Sequence, residues 1–211
     1  MTRIKICGIT NMRDALAAMG YGADEIGLNF YPRSPRYITV ECALRISDEA
    51  GPAMRRVGVF VNESPRKIVE IANRAGLNAI QLHGDEDALF IDDLRKQTRL
   101  PIIKAVRVKP GFDATELTTL GADAVLLDSF SDSERGGSGK AFDWSVARNI
   151  SESVAMLYLA GGLTPENIGE AIERVKPYAL DVCSGIEAEP GKKDLGKLRR
   201  LIEEVRKSDE F

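Results

Sequence analysis

Short apolar runs rich in β-branched residues alternate along the chain with polar turns and with stretches whose apolar residues recur at helical spacing. The runs are Ile4–Cys7, Glu25–Asn29, Arg56–Val61, Ala79–Leu82, Ile102–Val108, Ala124–Asp128, Ala155–Ala160 and Ala179–Cys183. Several are apolar almost without interruption, as expected of parallel strands covered on both faces. The helical stretches between them carry start signals. Ser64-Pro65 and Thr164-Pro165 each set a capping residue before a proline suited to the first helical position. Asp85, Asp143 and Asp194 stand where N-caps are expected, and the helix after the first strand is expected to begin near Thr10 or Asn11. Apolar stripes follow at Ile68, Ile71, Ala72 and Ala75, at Ile168, Ala171, Ile172 and Val175, and at Leu195, Leu198, Leu201, Ile202 and Val205.

Eight strand–helix alternations in 211 residues leave about 26 residues per unit, short but sufficient. No Pro/Ser-rich linker or composition break divides the chain, so one domain over residues 1–211 is expected. The predicted architecture is α/β, a (β/α)₈ TIM barrel of eight parallel strands ringed by helices. An open doubly wound sheet is the alternative, and the number of strands favours closure. A barrel of this kind directs attention to the C-terminal ends of its strands and the loops after them.

Composition narrows the class of partner. Hydrophobic residues at 44% and charged residues at 29% are ordinary for a globular chain, and the net charge of -3 provides no general field for nucleic acid. No apolar run approaches the roughly 20 residues of a membrane span, and the N-terminal run breaks too early for a signal-peptide core. Three widely spaced cysteines, Cys7, Cys42 and Cys183, suggest no disulfide framework and favour a reducing cytoplasm. With a single histidine, His83, there is no zinc-type ligand cluster, although a carboxylate-only magnesium site stays open.

Reactive groups fall at the predicted strand ends. Cys7 ends the first strand, where a thiolate can act as base or nucleophile; the alternative is a small core residue. A nearby helix N-terminus would favour the thiolate. Asp128 follows four apolar residues at the end of the sixth strand, where partial burial would suit a general acid; the alternative is a loop anchor. Strands one and six lie nearly opposite in an eight-stranded ring, so the two can flank a small substrate and transfer protons without metal or redox cofactor. In the loop Tyr31–Tyr37, Arg36 is a better anion ligand than Arg33. Gln81 and His83, at the end of the fourth strand, are candidates to orient a substrate, although a lone histidine is often structural. Gly161-Gly162 and Cys183-Ser184-Gly185 follow strands seven and eight, where barrels commonly bind phosphate through backbone N–H groups. Gly136-Gly137-Ser138-Gly139-Lys140 lacks the spacing and the hydroxyl residue of a Walker loop and reads better as a closing loop. No G-x-G-x-x-G follows the first strand, so a dinucleotide site is unsupported.

The ordered set Lys5-Ile6-Cys7-Gly8-Ile9-Thr10, Ser34-Pro35-Arg36-Tyr37-Ile38, Gln81-Leu82-His83-Gly84, Leu127-Asp128-Ser129, Gly136–Gly139 with Phe142-Asp143-Trp144, Gly161–Asn167 and Asp181–Glu187 resembles the phosphoribosylanthranilate isomerase family over essentially the whole chain. The resemblance implies a cofactor-free Amadori rearrangement in tryptophan biosynthesis, acting on a small phosphorylated substrate. It implies Asp128 as the acid that opens the ribose ring, Cys7 as the base at C2′, and Arg36 on the anthranilate carboxylate. Asp181 would lie near the ribose, and the two glycine turns would hold the phosphate. One departure stands out: the family usually has Ser-Ser where this chain has Cys183-Ser184, and a thiol is the weaker hydrogen-bonding group. Two competing readings are the related histidine-pathway isomerase and a phosphosugar-binding barrel without catalysis. The first would need a second phosphate turn and an aspartate in place of Cys7. The second would not require the Cys7–Asp128 pair.

Overall fold

A computed structural model describes residues 1–108, 117, 119–129 and 144–209. Eight strands form a closed parallel barrel in sequence order. They are β1 (Arg3–Ile6), β2 (Glu25–Asn29), β3 (Arg55–Phe60), β4 (Ala79–Leu82), β5 (Ile102–Val108), β6 (Ala124–Ser129), β7 (Leu157–Leu159) and β8 (Ala179–Val182). The helices among the described residues are α1 (Met12–Tyr21), α2 (Val40–Ala50), α3 (Pro65–Arg74), α4 (Ala88–Gln97), α5 (Trp144–Ser153), α6 (Ile168–Val175) and α7 (Leu195–Ser208). A single 3₁₀ turn, Ser184–Ile186, and a small hairpin, β9 (Glu187–Glu189) with β10 (Lys192–Lys193), separate β8 from α7.

Strand periodicity sorts the side chains into two compartments. Ile4, Ile6, Leu180 and Val182 point outward into the core beneath the helices, which supply Ile68, Ile168, Leu198 and Leu201. Val57, Ala79, Ile103, Leu126 and Tyr158 pack together in a separate cluster that fills the lower barrel. The layers above and below that plug are polar. At the N-terminal end, buried Glu25 accepts from the Tyr158 hydroxyl at 2.9 Å and faces Arg3 and Arg55 at 3.4 and 3.3 Å. Higher up, Lys5 donates to Asp181 at 2.7 Å.

The helix stripes pack as expected, with Ile168, Ala171, Ile172 and Val175 buried in α6 and Leu198, Leu201, Ile202 and Val205 in α7. Asn11 caps α1 by accepting from the Asp14 N–H at 2.9 Å, and Asp194 caps α7 through two N–H groups. Two starts differ from the sequence reading. Asp87, not Asp85, caps α4, because the Asp85 N–H and carboxylate are taken by Asn62. Thr164-Pro165 opens a turn rather than α6; the Asn167 side chain accepts from the Thr164 N–H at 2.8 Å and holds that turn closed, so the helix starts at Ile168. β7 is also shorter than the apolar run from Ala155 to Ala160. Asp143 and the Gly136–Lys140 loop lie outside the described residues.

Candidate active site

The barrel's register determines which strand-end residues meet. β1 pairs with β8 so that Lys5 lies beside Asp181 and Ile6 beside Val182. Lys5 and Asp181 point into the barrel, so the residues two further along, Cys7 and Cys183, point the same way one layer higher. The Cys7 N–H donating to the Val182 carbonyl at 2.9 Å continues the ladder to that level. The same parity brings Asn29, His83, Asp128 and Ala160 to the upper layer of the interior.

A cavity of about 290 Å³ occupies this mouth. Cys7, Arg36, His83, Asp128, Gly161, Gly162, Asp181, Cys183, Ser184 and Gly185 all line it. Gln81 does not. It is fully buried beneath the floor, and its amide donates to His83 Nδ1 at 2.9 Å. The other ring nitrogen, Nε2, faces Asp128 Oδ2 at 3.4 Å. Asp128 is partly open to the cavity, with its side chain 33% exposed.

The turns after β7 and β8 are built for close approach. Gly161 and Gly162 adopt φ of 86° and 66°, a region that favours glycine. A Cβ at Gly185 would meet the Leu163 carbonyl oxygen. Arg36 is anchored from both sides. Its N–H donates to the Ser34 hydroxyl at 3.1 Å, and its guanidinium grips Glu187 with Nε at 2.8 Å and Nη2 at 2.6 Å. Glu187 also accepts from Lys193 Nζ at 3.1 Å. Lys193 in turn reaches the Cys183 carbonyl at 3.2 Å and its sulfur at 3.9 Å.

This network accounts for the ionisation of Cys7, for which the sequence offered only a helix N-terminus. α1 begins five residues downstream, and the groups that act on the thiol come from elsewhere. A hydrogen bond with Cys183 holds the Cys7 thiol well below its ordinary pKa. Burial opposes that shift, and the charges of Lys5, Lys193 and His83 reinforce it. The hydrogen bond to Cys7, burial and the negative charge on Cys7 push the Cys183 thiol up. Burial, followed by the charge on Cys7, pushes the Asp181 carboxyl up to about 7 against the pull of Lys5. Burial works against a charged Lys5, but Asp181 and Cys7 outweigh it and keep the ammonium protonated. Sequence reasoning passed over Lys5, Glu187 and Lys193 as site residues. The available signal was parity: Lys5-x-Cys7 and Asp181-x-Cys183 carry complementary charges two residues before each thiol.

Fold and site together define a class, a (β/α)₈-barrel enzyme with its reactive groups at the C-terminal mouth. A sequence model of the N-(5′-phosphoribosyl)anthranilate (PRA) isomerase family matches residues 4–204, and the chain belongs to that family. It is 47% identical over 207 residues to the N-(5′-phosphoribosyl)anthranilate isomerase of Thermotoga maritima, covering 98% of this chain and 99% of the relative. The solved structure of the Thermotoga maritima phosphoribosyl anthranilate isomerase superposes with a TM-score of 0.87 at 44% identity, covering 98% of this chain and 100% of that one. A phosphoribosyl anthranilate isomerase solved with reduced 1-(o-carboxyphenylamino)-1-deoxyribulose 5-phosphate superposes with a TM-score of 0.84 at 42% identity, with the same coverage.

Proposed function

We propose that Cys7 and Asp128 are the base and acid with which this chain converts N-(5′-phosphoribosyl)anthranilate to 1-(2-carboxyphenylamino)-1-deoxyribulose 5-phosphate. Asp128 protonates the ribose ring oxygen, and the ring opens to a Schiff base. Cys7 removes the proton from C2′, and the resulting enolamine tautomerises to the ketone. His83, held by Gln81 and facing Asp128, orients that carboxyl. The reaction moves protons and electron pairs within one molecule, so its balance requires no redox partner.

The remaining groups position the substrate. The turns at Gly161-Gly162 and Cys183-Ser184-Gly185 take the phosphate through backbone N–H groups. Asp181, on the cavity wall beside Cys7, meets the ribose. Arg36 takes the anthranilate carboxylate. Because Glu187 already occupies Nε and Nη2, the guanidinium offers its remaining edge to the ligand. The 211 residues act as one catalytic barrel in the cytoplasmic route to tryptophan.

The observation that carries this reading is that Cys7 and Asp128, from β1 and β6, face one cavity that also reaches both glycine turns. The test is the loss of anthranilate-adduct fluorescence when the protein meets freshly formed phosphoribosylanthranilate. Cys7→Ala and Asp128→Asn should each abolish turnover while product still binds. Full activity in either variant would overturn the role assigned to that residue.

A further inference from the structure

Cys7 and Cys183 are hydrogen-bonded neighbours at the ends of adjacent strands. They are the next pair above Ile6 and Val182 on adjacent strands, and strands lie about 4.8 Å apart, inside the roughly 4.4–6.8 Å Cα separation that a disulfide spans. Their side chains point to the same side, as Lys5 and Asp181 do one layer below. Both thiols are half-buried and line the cavity, so a small oxidant can reach them. Their shared hydrogen bond also holds the Cys7 thiol low and pushes the Cys183 thiol up. That is the arrangement of an attacking and a resolving thiol. The third cysteine, Cys42, lies on α2 with its sulfur on the Thr10 carbonyl at 3.8 Å.

We infer that Cys7 and Cys183 form a hydroperoxide-sensitive dithiol, which closes to a disulfide that silences the isomerase and reopens with small thiols. The Cys7 thiolate attacks the outer peroxide oxygen, the O–O bond breaks, and an alcohol (water, from hydrogen peroxide) leaves after protonation. Cys7 is then a sulfenic acid. Cys183 gives up its proton and attacks the Cys7 sulfur, the S–O bond breaks, and water leaves. Two thiols and one hydroperoxide thus yield one disulfide, one alcohol and one water. Two equivalents of a small thiol return the hydrogens and are themselves oxidised to a disulfide. A serine at position 183 could not complete the second step. The disulfide is independent of the proposed function; only the loss of activity rests on it.

The test treats the full chain with graded hydrogen peroxide, blocks free thiols with N-ethylmaleimide and maps the unreduced peptides. We expect the Cys7 peptide linked to the Cys183 peptide and lighter by two hydrogens, with Cys42 labelled. Activity should fall in proportion to the linked fraction, and dithiothreitol should restore both. In Cys183→Ser the same treatment should leave added oxygen on Cys7, with activity that dithiothreitol no longer fully restores once sulfinic acid forms. Oxygen on Cys7 with Cys183 still labelled in the native chain would overturn the inference. So would two labelled thiols at peroxide doses that oxidise glutathione. A link that forms without loss of activity would uphold the disulfide and remove Cys7 from catalysis.

Discussion

Gly27→Ala tests whether the position of the Cys7 sulfur matters, without touching Cys7. Gly27 lies in the middle of β2, and its carbonyl accepts from the Ile9 N–H at 3.0 Å. A Cβ there would stand 2.7 Å from Cys7 Sγ, 3.0 Å from its Cα and 3.2 Å from its Cβ. Ordinary contact needs about 3.5–4.0 Å, so the sulfur must retreat by about 1 Å. Rotation of the side chain alone does not relieve the clash with the Cα, so β1 and β2 must also part slightly. Overpacking of this kind costs about 1–3 kcal/mol, and alanine recovers about 0.5–1 kcal/mol of strand propensity over glycine. The net loss is between about 0 and 2.5 kcal/mol, too little to unfold a domain with about 5–15 kcal/mol of stability. The chemical step is more sensitive, because a displacement of about 1 Å at a reacting group costs on the order of 100-fold. Initial rates of fluorescence loss should therefore show kcat down about 100-fold and KM changed little, with a native circular dichroism spectrum. A fully active variant with lowered thermal stability would refute the claim that the Cys7 sulfur acts at a defined position.

Three further outcomes follow from other contacts. Removing the Cys183 thiol with Cys183→Ala takes away the largest stabiliser of the Cys7 thiolate. The base works deprotonated, so the acid limb of the kcat/KM profile should move to higher pH; an unmoved limb would count against the thiol pair. Gly185→Ala drives a methyl into the Leu163 carbonyl and parts the two turns, so the inhibition constant of inorganic phosphate should rise roughly 10-fold or more, the worth of one charge-assisted hydrogen bond. An unchanged constant would separate these turns from phosphate. Glu25→Ala leaves Arg3, Arg55 and the Tyr158 hydroxyl without their shared carboxylate. Urea denaturation should show a loss of about 2–3 kcal/mol, below the cost for a fully buried pair because both guanidiniums reach water, with kcat intact. A large fall in kcat would mean that the two ends of the barrel are coupled.

The barrel was legible in the sequence because parallel strands under helices must be apolar on both faces, and eight such runs stand out between capped helices. That Cys7, Asp128 and the two glycine turns meet at one cavity was legible because each follows or ends a strand of the barrel. What the sequence concealed depends on barrel closure. Lys5 reads as a solvated residue at a strand start, yet closure of β1 on β8 buries it against Asp181, 176 residues away. Glu187 and Lys193 read as charges in a polar connection, yet the β9–β10 hairpin folds them under Arg36 and Cys183. Asp85 and Thr164 carried valid capping signals that lost to local competition from Asn62 and Asn167. Propensity could not rank those contacts, since each pair is equally polar in sequence.

The two polar layers of the barrel show why reactivity resides at one end. Each places a buried carboxylate next to cations. At the N-terminal end, Glu25 has two arginines and a tyrosine hydroxyl, enough donors to offset its burial. At the C-terminal end, Asp181 has one lysine and a thiolate for a neighbour, and its carboxyl is pushed up to about 7. Lys5 therefore stands between two acids that compete for its charge. A protonated Asp181 leaves that charge to the Cys7 thiolate, and an ionised Asp181 draws it away. The apolar plug beneath this layer, from Val57 to Tyr158, separates it from the Glu25 layer below. A perturbed thiol at the mouth of the barrel is thus a consequence of register. The strand offset that sets Lys5 beside Asp181 also stacks Cys7 and Cys183 above them, facing the cavity.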